Sequence, residues 1–471
     1  MFKNINCKNL PSLRRNIVYQ FLYELLIVFI PLFTIPYVSR VLGAENIGLF
    51  SYTYAVANYF VLFANLGIKN YGSRTIAMVR NNKEELNRNF SEILSIHIIF
   101  SIIVIFVYLV LLFFFVEDNL VIFLIQSIYV FAAVFDINWF FFGIEKFKLT
   151  VGRNTLVKIL SVFLVLVFVK TQTDLWIYAL ILALSVFVGQ SVVWFALKQY
   201  VSWRRPSWAN MKQHIRPLFV LFLPILALSL YKYMDKIMLG SISSNVQVGF
   251  YENAEKIINV PMSLIMAFGV VLMPRIANMV TSKDKGEVFK LIDMSMEAVM
   301  LLAIAISFGL AGISFVLAPI FFGYEFEECG ILIMGLAVTV PFMAFANVIR
   351  TQYLIPYKED KIFVVSLFLG AAVNLIVNII LIPYMAARGA VIGTIFAEII
   401  VCIYQSYFVR KKIFIKKYLL NTIPPILIGI VMFVFVFQIG NVMNINIVTL
   451  ILQLLVGMFI YAVGVFLLML K

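Results

Sequence analysis

The feature that most constrains this chain is a succession of apolar runs, each about 20 residues long, separated by short polar segments. A run of that length is what an α-helix needs to cross the ~30 Å hydrocarbon core of a bilayer. Fourteen are read along the 471 residues: 17–38, 47–68, 91–116, 119–142, 150–169, 174–197, 217–240, 249–274, 293–317, 328–352, 361–382, 390–409, 419–440 and 446–470. Backbone groups in lipid must be satisfied within their own segment, so helices are expected throughout. The composition agrees: 63% of the residues are hydrophobic and 13% charged, well beyond the apolar share of a soluble domain. The expected fold class is all-α integral membrane, with about 14 transmembrane helices.

Charge placement sets sides. The net charge is +14, but it lies in short segments between spans. There it acts as a topology signal and meets anionic headgroups, so nucleic acid is excluded as a partner. If the basic start MFKNINCKNLPSLRR is cytoplasmic, 29 of the 37 Lys and Arg fall in or beside cytoplasmic segments. Arg40, Lys170 and Arg388 fall outside, and five lie within spans: Lys158, Lys232, Lys236, Lys256 and Arg350. Both termini are then cytoplasmic. The first run is too long for a signal-peptide core and no small-residue cleavage site follows it.

The longest inner loop, KQYVSWRRPSWANMKQHIRP, divides two groups of six spans. The expected organisation is an N-terminal six-helix lobe over 1–197, a basic linker over 198–216 on the inner leaflet, a second six-helix lobe over 217–409, and two further helices over 410–471. An internal repeat supports the halves. RVLGAENIGLFSYTYA (40–55) and KIMLGSISSNVQVGFYENAEK (236–256) share a basic residue, Leu-Gly three positions on, an apolar–Gly pair, and an aromatic two residues later. Each copy spans the outer turn between the first two helices of its half. Parallel six-helix repeats imply an axis along the membrane normal and alternating access around a central cavity. Pro31, Pro36, Pro224, Pro261 and Pro341 lie within spans as candidate bends.

Charges inside spans are expensive and mark function or structure. Lys232, Asp235 and Lys236 occupy one span end; Glu252, Glu255 and Lys256 occupy the next. Spacings of three and four put Lys232 with Asp235 and Lys236, and Glu252 with Glu255 and Lys256, on shared faces. Two readings follow: an ion-pair network pinning the hairpin, or a polar cavity wall whose lysines meet an anionic substrate. Tyr231, Tyr233 and Tyr251 are candidate wall residues. Glu24, Asp136, Lys158 and Glu398 lie deeper. The carboxylates Glu24, Asp136 and Glu398 are candidates to carry H⁺ or hold Na⁺, and Lys158 is a candidate cavity residue for substrate or a partner for Glu24 or Asp136. His97 in an apolar run and His214 in the basic loop are read as packing residues.

Cys7, Cys329 and Cys402 are far apart with no CxxC, so no disulfide framework or metal site is expected. No GxxxxGK[ST] phosphate loop occurs. The outer loops are too short for a catalytic domain. An enzyme is not expected, and no cofactor beyond a coupling ion.

PYVSRVLGAENIGLFSYTYAVANYFVLFANLGIKNYGSRTIA (36–77), NWFFFGIEKFK (138–148) and DKIMLGSISSNVQVGFYENAEKI (235–257) resemble bacterial polysaccharide repeat-unit flippases of the Wzx type. The likeness runs through the twelfth span. Their superfamily also holds multidrug and toxin extruders and lipid II flippases. The resemblance implies two lobes in a V shape and residence in the bacterial cytoplasmic membrane as a monomer. It implies translocation of undecaprenyl-diphosphate-linked oligosaccharide, with membrane lipids and the polymerase and chain-length machinery of the same pathway as partners. It implies that charged residues line a cavity, here Arg40, Lys232, Asp235, Lys236 and Lys256. This sequence departs from a simply cationic cavity, because its in-span acids are at least as numerous as its bases. The alternatives of the same fold are an ion-coupled extruder and a lipid II flippase.

Overall fold

The structure is a computed structural model that describes residues 10–281 and 285–470. The first helix, α1 (Leu10–Asn65), has 56 residues. At 1.5 Å per residue it is far longer than a bilayer is thick, so it must break to cross twice. It breaks at Gly43, with φ 77°. That left-handed backbone is open to glycine and costly for a residue bearing Cβ. The bend is thus set by Gly43. Pro224 and Pro261 lie inside continuous helices.

The chain continues as α2 (Ile68–Val79), α3 (Lys83–Phe115), α4 (Leu120–Val134), α5 (Asn138–Gly143), α6 (Phe147–Phe168) and α7 (Leu175–Leu197). Then follow α8 (Trp208–Ile242), α9 (Asn245–Thr281), α10 (Lys285–Phe322), α11 (Cys329–Ala337) and α12 (Thr339–Ile349). The last four are α13 (Asp360–Met385), α14 (Ala387–Val409), α15 (Ile415–Val442) and α16 (Ile447–Met469). No strand occurs among the described residues. The fourteen apolar runs fall mostly on helix, the fourth being broken at 135–137, and the protein is an all-α multi-pass membrane protein of about 14 transmembrane helices. Among the described residues, eleven helical stretches satisfy length and hydropathy for crossing a membrane, with residues 32–79 counted as one. Side chains such as Phe113, Phe115 and Phe459 are exposed, as a lipid-facing surface requires.

Two compact units divide the chain: unit 1, residues 1–42 and 53–229, and unit 2, residues 43–52 and 230–471. Unit 1 has an aromatic core in which Phe90 stacks on Trp139 at 5.6 Å, with Phe140 and Phe141 buried beside them. Its chain end toward α8 is tied down: Asn87 Oδ1 accepts from the Ser202 amide (3.0 Å) and Ser91 Oγ from the Arg204 amide (2.9 Å). Half of the expected linker is helical, because α8 begins at Trp208.

In unit 2, α13 packs on α14, α10 on α15, and α15 on α16. Residues 43–52, which carry most of the first repeat copy, belong to this unit. They pack directly on the second copy. A Cβ on Gly48 would lie 1.6 Å from the Asn245 carbonyl oxygen, and one on Gly249 2.1 Å from that of Ala44. Gly48 and Gly249 are the matching glycines of the repeat, and each meets the residue four before the other. Helices that touch backbone to backbone need glycine at the crossing. The Ala44 amide, freed by the break at Gly43, donates to Glu325 Oε1 at 2.8 Å.

Candidate functional site

The α8–α9 turn is built by sequence-local chemistry. Ser244 precedes α9 and its hydroxyl accepts from the Gln247 amide (3.4 Å), a serine N-cap with Gln three residues on. The turn makes the two helices antiparallel neighbours and brings their charged ends together.

The six charges there sort into four that cancel and two that do not. The Lys236 ammonium lies 2.5 Å from Glu252 and 2.8 Å from Glu255. Lys256 pairs with Glu252 at 3.1 Å, one turn along α9. This network of two cations and two anions is largely buried, with Lys236 only 7% exposed. The spacing within α9 and the pairing across the hairpin are as the sequence implies. Lys232 and Asp235 share a helix face by spacing but do not pair. Lys232 is exposed, and its ammonium sits 5.3 Å from the centre of the Tyr233 ring, a cation–π contact. No carboxylate pairs with it among the described residues.

Asp235 turns the other way, into the unit. It is buried, and its partners are neutral: Asn378 Nδ2 donates to Oδ1 (2.5 Å), Tyr251 Oη to Oδ2 (2.6 Å), and Thr394 Oγ1 lies 3.0 Å from Oδ2. Asn374 stands behind Asn378, accepting from it at 3.1 Å. Tyr251 is a fully buried ligand of this carboxylate rather than a free wall residue. Asp235, Asn374, Asn378 and Thr394 together present carboxylate, amide and hydroxyl oxygens, the donor types that hard cations take.

The remaining candidates scatter. Arg40 is exposed on α1 three residues before Gly43, and Lys158 is half-buried on α6; both belong to unit 1, whereas Lys232, Asp235, Lys236, Tyr251 and Lys256 belong to unit 2. The side chains of Glu24 and Tyr231 lie outside the described residues. Asp136 sits in the break between α4 and α5, where Oδ1 accepts from the Asn138 amide (3.0 Å) and side chain (2.7 Å); Arg153 in turn donates to Asn138 Oδ1 at 3.1 Å. Asp136 is held as a turn-capping carboxylate, a role its position in an apolar run hides. Glu398 is buried on α14. Arg350 opens a π-helical turn (Arg350–Leu354) and donates to Asn347 Oδ1 at 2.6 Å. That wide turn follows no signal in the sequence.

His214 departs from expectation in its setting, a helix rather than a loop. It lies in helix, buried, with Nδ1 2.6 Å from Tyr71 Oη and Nε2 2.9 Å from Glu92 Oε2. Unit 2 also holds an apolar cavity of about 470 Å³ lined by residues of α9, α10, α15 and α16, among them Pro261, Ile313, Met432, Leu454 and Tyr461.

Comparison with known proteins decides the family. The family described as "Polysaccharide biosynthesis protein" matches residues 13–280, more than half of the chain. The chain belongs to this family. Two relatives are provisionally named O-antigen transporters. The one from Shigella dysenteriae is 24% identical over 408 residues, covering 83% of this chain and 99% of its own. The one from Escherichia coli (strain K12) is 26% identical over 411 residues, covering 86% and 98%. Among solved structures, a lipid II flippase MurJ in an inward closed conformation matches with a TM-score of 0.73 at 16% identity, over 95% of this chain and 97% of that one. At that identity the likeness concerns the fold. The family membership agrees with the resemblance carried by residues 36–77, 138–148 and 235–257.

Proposed function

We propose that this family member is a flippase that moves undecaprenyl-diphosphate-linked oligosaccharide across the bacterial cytoplasmic membrane by alternating access, without ATP hydrolysis. The observation that carries the reading is the sorting of the α8–α9 charges. Lys236, Lys256, Glu252 and Glu255 neutralise one another, so they hold the hairpin. Lys232 keeps an unmatched positive charge at an exposed position. A diphosphate bearing sugars does not cross hydrocarbon unaided, and an ammonium in a low-dielectric setting stabilises phosphate by a charge-assisted hydrogen bond. Tyr233 beside it offers a face for a sugar ring. The apolar cavity against α15 and α16 suits part of an isoprenoid tail.

Asp235 supplies the second half of the reading. Its negative charge is buried among neutral donors. A coupling Na⁺ or H⁺ would neutralise it, and Asn374, Asn378 and Thr394 would complete the oxygen shell around Na⁺. Relatives named for O-antigen transport support the substrate class. Polymerase and chain-length proteins of the pathway are the expected partners.

The test is depletion in the native host with lipid-linked oligosaccharide followed by mass spectrometry and leaflet-specific labelling. Accumulation on the inner leaflet, restored by the wild-type gene and not by Lys232→Ala, is the expected result. No accumulation, with drug sensitivity raised instead, would overturn it in favour of an extruder.

A further inference from the structure

Unit 1 contains a hydrogen-bonded chain that the proposed transport site does not use. It joins three elements. Tyr71 comes from α2, Glu92 from α3 and His214 from the second turn of α8. Glu92 and His214 are 1% and 3% exposed. Glu92 Oε2 meets His214 Nε2 at 2.9 Å, and His214 Nδ1 meets Tyr71 Oη at 2.6 Å. Thr75 lies one turn further along α2. No Lys or Arg pairs with Glu92, and its second oxygen, Oε1, is buried without a hydrogen-bond partner among the described residues. The charged and titratable groups facing the imidazole are therefore Glu92 from α3 and Tyr71 from α2.

This arrangement can hold the imidazole in either state with every ring hydrogen bond made. In the neutral form Nε2–H donates to Glu92 and the Tyr71 hydroxyl donates to Nδ1. With a proton added at Nδ1, that N–H donates to Tyr71 Oη, whose own hydrogen swings away from the ring. Only the direction of one hydroxyl changes. The cluster's net charge passes from −1 to zero, because the Glu92 carboxylate stands opposite the imidazolium. A purely structural tie between helices needs no such reversibility, and Lys236 in unit 2 shows how this chain builds one.

We propose that Glu92, His214 and Tyr71 form a proton-binding site in unit 1, separate from the Asp235 oxygen cluster of unit 2, with the proton taken at Nδ1 of His214. The site grips the start of α8, the helix that runs on to carry Lys232, Asp235 and Lys236. Proton occupancy thereby acts on the seating of that helix in unit 1.

The chain has two histidines, which makes the test direct. The full-length protein is labelled with ¹³C,¹⁵N-histidine, reconstituted in lipid nanodiscs, and its ring resonances are followed from pH 5 to pH 9, with His97→Gln assigning the signals. The expected result is a reversible change of His214 between the Nε2–H tautomer and the imidazolium within that range. In Glu92→Gln its midpoint moves by more than one pH unit, and in Tyr71→Phe the Nδ1 shift that reports the phenol contact is lost while the protein stays folded. A His214 that keeps one state throughout, or a midpoint indifferent to both substitutions, would overturn the proposal. If Glu92→Gln fails to fold, Glu92→Asp, which keeps the carboxylate, and Tyr71→Phe carry the same comparison.

Discussion

Two buried polar clusters in this protein tie helices together with opposite chemistry. In unit 2, Lys236 joins α8 to α9 through Glu252 and Glu255, side-chain types that are charged at neutral pH when free. In unit 1, His214 joins α8 to α2 and α3 through Tyr71 and Glu92, using an imidazole that titrates near neutrality when free. One helix, α8, thus carries a permanent tie at its end and a protonatable one at its start. The difference teaches where to look for fixed structure and where for response to a proton.

The comparison breaks first at Lys236. Lys236→Ala leaves two half-buried carboxylates facing each other with only Lys256 to answer them, a loss approaching the roughly 3–5 kcal/mol of breaking a fully buried pair. Thermal unfolding in detergent and membrane abundance should both fall steeply, and Lys236→Glu with Glu252→Lys should recover part of the loss. Unchanged abundance in Lys236→Ala would mean the network is not structural.

Glu92→Gln should cost less, on the order of 1–2 kcal/mol, because the amide still accepts from His214. Its unfolding temperature should depend on pH less than that of the wild type. Equal pH dependence in both would place the titrating tie elsewhere.

Asp235→Asn sharpens the contrast further. It removes a buried charge but sets an amide among hydrogen-bond donors, and these effects oppose each other to within roughly 1 kcal/mol. Stability should hardly change, while the dependence of transport on Na⁺ or on a proton gradient disappears. A variant that keeps its ion dependence would remove Asp235 from coupling.

Lys232→Ala should have the smallest effect on stability, within about 0.5 kcal/mol for an exposed side chain. Flipping of lipid-linked oligosaccharide should nevertheless drop at least tenfold in a leaflet-labelling assay. Transport unaffected by this change would leave the unmatched charge without a role.

Much of the candidate site was legible from local spacing. Lys236, Glu252, Glu255 and Lys256 lie three or four apart on helices joined by a two-residue turn, so their meeting follows from helix geometry. Asp235 was visible as a charge, but its partners Asn378 and Thr394 stand 143 and 159 residues away. Glu92 and His214, separated by 122 residues, carry no spacing signal at all. The sequence read His214 as a loop residue because the basic stretch around it hides the start of α8. The break at 135–137 and the π turn at Arg350 are likewise silent, since both occur inside uninterrupted apolar runs.

By itself the sequence determined the all-α membrane class, with about 14 transmembrane helices, and much of the α8–α9 charge network. Each of these follows from hydropathy over ~20 residues or from neighbours within a turn. Only the tertiary structure decided which charges cancel. It set Gly48 and Gly249 against each other's helices, turned Asp235 toward α13 and α14, left Lys232 exposed, and buried His214 against Glu92. A side chain's partner depends on where remote helices pack, and one uniformly apolar run is much like another until they do.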